Sequence, residues 1–110
     1  MTDVTGYGLL GHLREMTGEH LGARVDGSAV PLFANALALA ARGIVPGGTR
    51  KNLAAALENG AQFGSRLPAG LDAVLCDAQT SGGLLVAGEV PGAPVIGELV
   101  PRKKHLIMVR

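Results

Sequence analysis

Thr2 to His12 reads Thr-Asp-Val-Thr-Gly-Tyr-Gly-Leu-Leu-Gly-His, which sets a carboxylate, Asp3, three residues ahead of a literal G-x-G-x-x-G. A hard divalent cation such as Mg²⁺ prefers carboxylate oxygen, keeps several waters and is shared with substrate phosphates. A glycine turn opening a helix favours nearby anionic oxygen through its free amides and the helix dipole. Two uses of Asp3 follow: a metal ligand, or an N-cap on the amides near Thr5 or Gly6, the commoner role of such a residue. A dinucleotide site is discounted. Asp26 does stand 20 positions after Gly6, but the preceding Met-Thr-Asp-Val-Thr is too short and too polar for a buried parallel strand. Thr2 and Thr5 could orient the carboxylate or serve only turn hydrogen bonds. His12 has no second histidine at metal spacing and reads as a hydrogen-bonded structural residue.

Two further loops carry polar atoms among glycines. Gly47, Gly48, Thr49, Arg50 and Asn52 open a helix and can present amides and a guanidinium to an oxyanion; a surface turn with a solvated arginine accounts for them equally well. In Asp77 to Gly83 the side chains of Asp77, Thr80 and Ser81 precede two glycines that permit close backbone approach, and a strand-entry turn is the simpler account. Neither Ser81 nor Cys76 has a histidine nearby in sequence to act as base, so no nucleophile is assigned.

The elements that must hold these loops follow from periodicity. Leu9, Leu10, Leu13 and Met16 share one helical face, with Gly18 placed to end the helix. Leu21 to Val25 alternates as a strand before the turn at Asp26-Gly27. A second helix is expected from Pro31, with Phe33, Leu37 and Ala40 as its apolar stripe, ending at Gly43 and Pro46. Lys51 to Glu58 predicts a third, and the ten residues after it read as loop. Leu71, Val74 and Leu75 suggest a turn or two of helix, followed by strands at Leu84 to Ala87, Val95 to Val100 and Leu106 to Val109. The expected fold is α+β: a single layer of mixed or antiparallel strands with helices packed on one face.

A chain of 110 residues, 47% hydrophobic, supports one domain over residues 1–110 with one modest core. A net charge of +1 and three aromatic side chains exclude an extended nucleic-acid platform, and no apolar run reaches membrane-spanning length. Arg102, Lys103 and Lys104 read as a solvated turn. With a polar start that does not read as a signal peptide and Cys76 as the single cysteine, which excludes an internal disulfide, the expected location is cytoplasmic.

Four segments, in order, carry a family resemblance: Thr2 to His12; Ile44 to Asn52 (Ile-Val-Pro-Gly-Gly-Thr-Arg-Lys-Asn); Asp77 to Leu85 (Asp-Ala-Gln-Thr-Ser-Gly-Gly-Leu-Leu); and Val95 to Pro101 (Val-Ile-Gly-Glu-Leu-Val-Pro). Together they resemble the C-terminal half of selenophosphate synthetases (selenide, water dikinases), members of the aminoimidazole-ribonucleotide-synthetase-like superfamily. The resemblance implies a reaction of ATP, selenide and water giving selenophosphate, AMP and phosphate, with Mg²⁺ neutralising the phosphate chain. It assigns Asp3 to the metal and draws Thr49, Arg50, Thr80 and Ser81 toward the nucleotide. It also places most of the ATP site, the catalytic cysteine or selenocysteine and the main contact of a dimeric family in an N-terminal domain, so this chain alone is expected to be inactive, its oligomeric state open. Family members usually carry a helix after Gly-Gly-Leu-Leu, where this sequence has only Val-Ala-Gly-Glu-Val-Pro-Gly-Ala-Pro, too short for a parallel crossover. The alternatives are a non-catalytic partner module or remnant, or another ATP-dependent enzyme of the superfamily.

Overall fold

The computed structural model describes residues 2–78, 83–88, 90–102 and 106–110. Ten elements follow in order: β1 (Thr2–Asp3), α1 (Gly8–Thr17), β2 (Leu21–Val25), α2 (Ala36–Ala41), α3 (Gly47–Glu58), β3 (Ala61–Phe63), α4 (Leu71–Leu75), β4 (Leu84–Leu85), β5 (Gly97–Pro101) and β6 (Ile107–Val109). The fold is α+β. Strands β3-β6-β2-β5 form a mixed sheet, in which β6 runs parallel to both β2 and β3 while β5 is antiparallel to β2. Strand β1 pairs antiparallel with β4 as a separate two-stranded ribbon. The short connection from β4 to β5 therefore joins two sheets and never has to make a parallel crossover.

Strand register decides which side chains meet the helices. Ala23 lies beside Leu99 and Ile107, and Val25 beside Gly97 and Val109, so these residues share one face. That face holds the core: Ala23, Val25, Ile107 and Val109 are buried with Leu9, Leu10 and Leu13 of α1, Leu71 and Leu75 of α4, and Val4, Cys76 and Leu85. The opposite face carries Arg24, Gln62 and Glu98, all exposed, with Arg24 Nη2 and Glu98 Oε1 paired at 2.8 Å. Helices thus cover one side of the sheet, and the other faces solvent.

Local chemistry sets the boundaries. Helix α1 stops at Gly18, whose φ of 63° suits glycine, and Thr17 donates its hydroxyl to the Arg14 carbonyl one turn back. Arg102 donates to the carbonyls of Gly18 and Leu21, tying the end of β5 to the α1–β2 connection. Its guanidinium therefore has a structural post; Lys103 and Lys104 lie outside the described residues.

Several boundaries depart from expectation. Helix α2 begins at Ala36, five residues after Pro31, because Asn35 takes a left-handed conformation with φ 68° that helical backbone cannot contain. Phe33, assigned to its apolar stripe, is 86% exposed. Helix α3 starts at Gly47 rather than Lys51, with Pro46 extended at its entrance. The stretch after α3 contains strand β3, and Thr2–Asp3 form β1; both are too short to show a period of two.

Candidate functional site

Three of the four segments singled out in the sequence converge at the start of α1. Strand β1 places Asp3 opposite Leu84, and the Val4 amide donates to the Gly83 carbonyl at 2.9 Å. The far end of the Asp77 to Gly83 loop is thereby fastened beside Asp3. Its near end is fastened by α3: the Thr49 hydroxyl donates to Asp77 Oδ1 at 2.7 Å and accepts from the Ala78 amide at 3.1 Å. One α3 turn further, Asn52 Nδ2 donates to the Gly6 carbonyl at 2.8 Å and to the Cys76 carbonyl at 3.0 Å. One amide group therefore joins the glycine turn to the end of α4. The fourth segment becomes mainly β5, at the sheet edge, and supplies no bond to this network.

Asp3 is exposed, and its segment makes no side-chain cap: the N-cap position of α1 is Tyr7, without a side-chain hydrogen bond. The capping use of Asp3 is therefore not the one realised. Within the motif the glycines differ in purpose. Gly8 has φ 75°, and a Cβ there would lie 2.6 Å from the Cys76 carbonyl carbon, so this glycine is required by backbone contact with the end of α4. A Cβ on Gly6 would meet nothing within 4 Å. Space beside the turn is open there.

His12 is buried at the back of the turn, its Nε2 3.2 Å from the Thr5 hydroxyl and its ring tilted against the exposed Tyr7 at 5.7 Å between centroids. Its Nδ1 has no hydrogen-bond partner among the described residues; Glu15 Oε2 approaches to 3.7 Å. The hydrogen-bonded structural role expected of His12 matches this placement, and Thr5, left open between two uses, stands within hydrogen-bond distance of its ring. Cys76 is buried, and burial, aided by the Asp72 carboxylate, pushes its thiol up to about 12, which keeps it protonated and unreactive. Asp26 accepts from the Ser28 amide and hydroxyl at 3.0 and 2.6 Å, which holds its carboxyl below the usual value. It serves a turn and not a ribose.

The proposed nucleotide contacts are distributed unevenly. Thr49 is fully buried, so its hydroxyl acts on Asp77 and Ala78. Arg50 is exposed and donates from Nη2 to the Gly43 carbonyl at 3.1 Å, across the α2–α3 connection. Thr80 and Ser81 lie outside the described residues. Asn52 and Asp77 emerge as the connecting residues, a role not assigned to them from sequence, because Asn52 reaches partners 46 and 24 positions away. The usable signal was a conflict of type, an amide side chain directly before the Leu-Ala-Ala-Ala-Leu run of α3.

Among the described residues no cluster of three or more His, Cys, Asp or Glu could hold a metal by itself. A single exposed carboxylate fits a shared magnesium site, in which phosphate and water complete the coordination, and does not fit a self-contained one.

Residues 1–109 match the family model described as AIR synthase related protein, C-terminal domain. The chain is 51% identical over 88 residues to a selenide, water dikinase of Myxococcus xanthus, covering 79% of this chain and 25% of that protein. It is 46% identical over 127 residues to the selenide, water dikinase of Pseudomonas aeruginosa, covering 99% of this chain and 35% of the relative. A Sulfurimonas denitrificans protein of the same name is 40% identical over 124 residues, with 99% and 35% covered. The chain thus spans a quarter to about a third of the length of these relatives. With its α+β layer and its glycine turn braced by α3, this chain belongs to the AIR synthase related C-terminal domain family and is related to the selenide, water dikinases.

Proposed function

We propose that this domain supplies one wall of a composite ATP-Mg²⁺ site in a selenide, water dikinase, with Asp3 as its metal-binding carboxylate. The observation that carries the reading is the exposed Asp3, held between the Val4–Gly83 bond and a glycine turn fixed by Asn52. Bound magnesium would neutralise the phosphate oxygens. Asp3 would hold it through carboxylate oxygen; the open space at Gly6 would let phosphate approach the turn's backbone; Arg50, Thr80 and Ser81 would contact the nucleotide. Thr49 would act at one remove, by fixing Asp77. Phosphoryl transfer depends on positioning and charge neutralisation, so a braced carboxylate is a large part of what such a domain can contribute.

The remaining ATP contacts and the residue that handles selenide belong, on this reading, to an N-terminal domain, and the isolated chain is inactive. The test is to mix this chain with the N-terminal portion of the Myxococcus xanthus relative and measure selenide-dependent release of AMP. Activity in the mixture that Asp3→Asn abolishes supports the assignment; activity that the substitution leaves untouched overturns it. ATP hydrolysis to AMP independent of selenide would instead favour another ATP-dependent member of the superfamily.

A further inference from the structure

Among the described residues the only buried side-chain polar atom left without a hydrogen-bond partner is His12 Nδ1. An orphan of this kind calls for an explanation. Helix spacing sets its surroundings: Glu15, three residues on, brings Oε2 to 3.7 Å from Nδ1, and a glutamate side chain that is 62% exposed is free to rotate and close the gap. On the other edge of the ring, Nε2 lies 3.2 Å from the Thr5 hydroxyl. The Tyr7 ring is tilted against the imidazole at 5.7 Å between centroids. A Cβ on Gly11 would lie 2.8 Å from the Tyr7 Cβ, so the third glycine of the G-x-G-x-x-G makes room for that ring. Carboxylate, imidazole and hydroxyl thus form a chain from the exposed side of α1 to the start of the glycine turn.

The protons of this chain have one consistent arrangement. A ring with a single proton carries it on Nδ1 or on Nε2. With the proton on Nε2, the bare Nδ1 lone pair would be buried facing the Glu15 carboxylate, acceptor against acceptor. With the proton on Nδ1, the ring donates toward Glu15, and Nε2 becomes an acceptor. Thr5 has one hydroxyl hydrogen, which then goes to Nε2. Its oxygen keeps only lone pairs, on a half-buried residue two positions after exposed Asp3.

We infer that His12 is a positioning residue for the Asp3 site: held in one tautomer by Glu15, it makes the Thr5 hydroxyl a fixed acceptor for a water carried by the cation that Asp3 binds. The inference rests on the composite-site reading and gives Thr5 a task within it. Magnesium held by one or two carboxylates keeps several waters. Such waters are donors, and acceptors in the surrounding shell orient them. A hydroxyl free to turn would present its hydrogen to that water in part of its rotamers; the imidazole removes the option.

NMR of isotopically labelled histidine reads the tautomer in the intact chain carrying His20→Gln and His105→Gln, which leave His12 as the sole histidine. At about pH 8, above the ordinary histidine range, the proton is expected on Nδ1. Glu15→Ala, at an exposed position, should leave the urea midpoint unchanged and let the form protonated on Nε2 appear. In the mixture with the N-terminal portion of the Myxococcus xanthus relative, Thr5→Val should raise the Mg²⁺ concentration needed for half-maximal AMP release about threefold to tenfold, the worth of one hydrogen bond. Glu15→Ala should move it in the same direction, and Thr5→Ser should restore the parent value. A proton found on Nε2 of the parent ring, or on both nitrogens, overturns the inference whatever the mixture does. So does a Mg²⁺ requirement indifferent to Thr5→Val in a mixture that Asp3→Asn inactivates, a result that leaves the composite site standing. Activity indifferent to Asp3→Asn removes the composite site itself, and this inference with it.

Discussion

The Thr49 hydroxyl is engaged twice, as donor to Asp77 and as acceptor from Ala78, inside a fully buried side chain. Thr49→Val keeps the shape and removes both bonds, leaving a backbone amide and a carboxylate oxygen without their partner. The expected cost is about 1–3 kcal/mol by urea denaturation, whereas Thr49→Ser should stay close to the parent. Cys76 offers a second residue-level test. Its folded-state value of about 12 lies above the ordinary 9.0, so the protonated thiol's contribution is fully present below pH 9 and declines as pH rises from there toward 12. The native thiol should resist a disulfide reagent at pH 8 and react at once in denaturant; equal rates in both would show that the thiol is not buried.

At the scale of elements, α3 is the brace, and Asn52 gives it that role. Asn52→Ala strips a donor from the Gly6 and Cys76 carbonyls and should destabilise the chain by about 1–3 kcal/mol. In the reconstituted mixture it should also lower activity more than an equally destabilising substitution distant from the turn, because it frees the loop that follows Asp3. Gly8→Ala meets both a positive φ and the Cys76 backbone, and the fold should lose at least about 2 kcal/mol. Gly6→Ala, facing open space, should leave stability near that of the parent while affecting any phosphate that approaches the turn. Helix α1 and strand β2 were legible because each repeats its period over enough residues, and Gly18 marks the stop. Strands β1 and β3, with two and three residues, owe their existence to partners distant in sequence, which no local pattern encodes, whereas β4 falls within the expected Leu84 to Ala87 run. Helix α2 misled for the reverse reason: Phe33, Leu37 and Ala40 have helical spacing, but the left-handed Asn35 breaks the run. The Asp3 segment was visible as a motif; the bonds from Thr49 and Asn52 that gather three motifs into one place became visible only in three dimensions.

For the whole molecule, the proposed function makes the exposed Asp3 one part of a magnesium site that another domain would complete. A ligand that binds only the folded state at a hundred times its dissociation constant adds about 2.7 kcal/mol. For a domain of this size each kcal/mol moves the melting temperature by roughly 4–8 °C. Among the described residues Asp3 belongs to no cluster of three or more metal-ligating side chains, so millimolar Mg-ATP should leave the melting temperature of the chain alone within about 1 °C, since ligand below its dissociation constant adds little. With the N-terminal portion of a relative present, Mg-ATP should raise the melting temperature of the complex by several degrees, and Asp3→Asn should cancel most of that rise without changing the nucleotide-free value. The two measurements separate a half-site from a complete one. A large shift for the isolated chain would mean that its own glycine turns and Arg50 bind the nucleotide unaided, and the composite site would have to be abandoned.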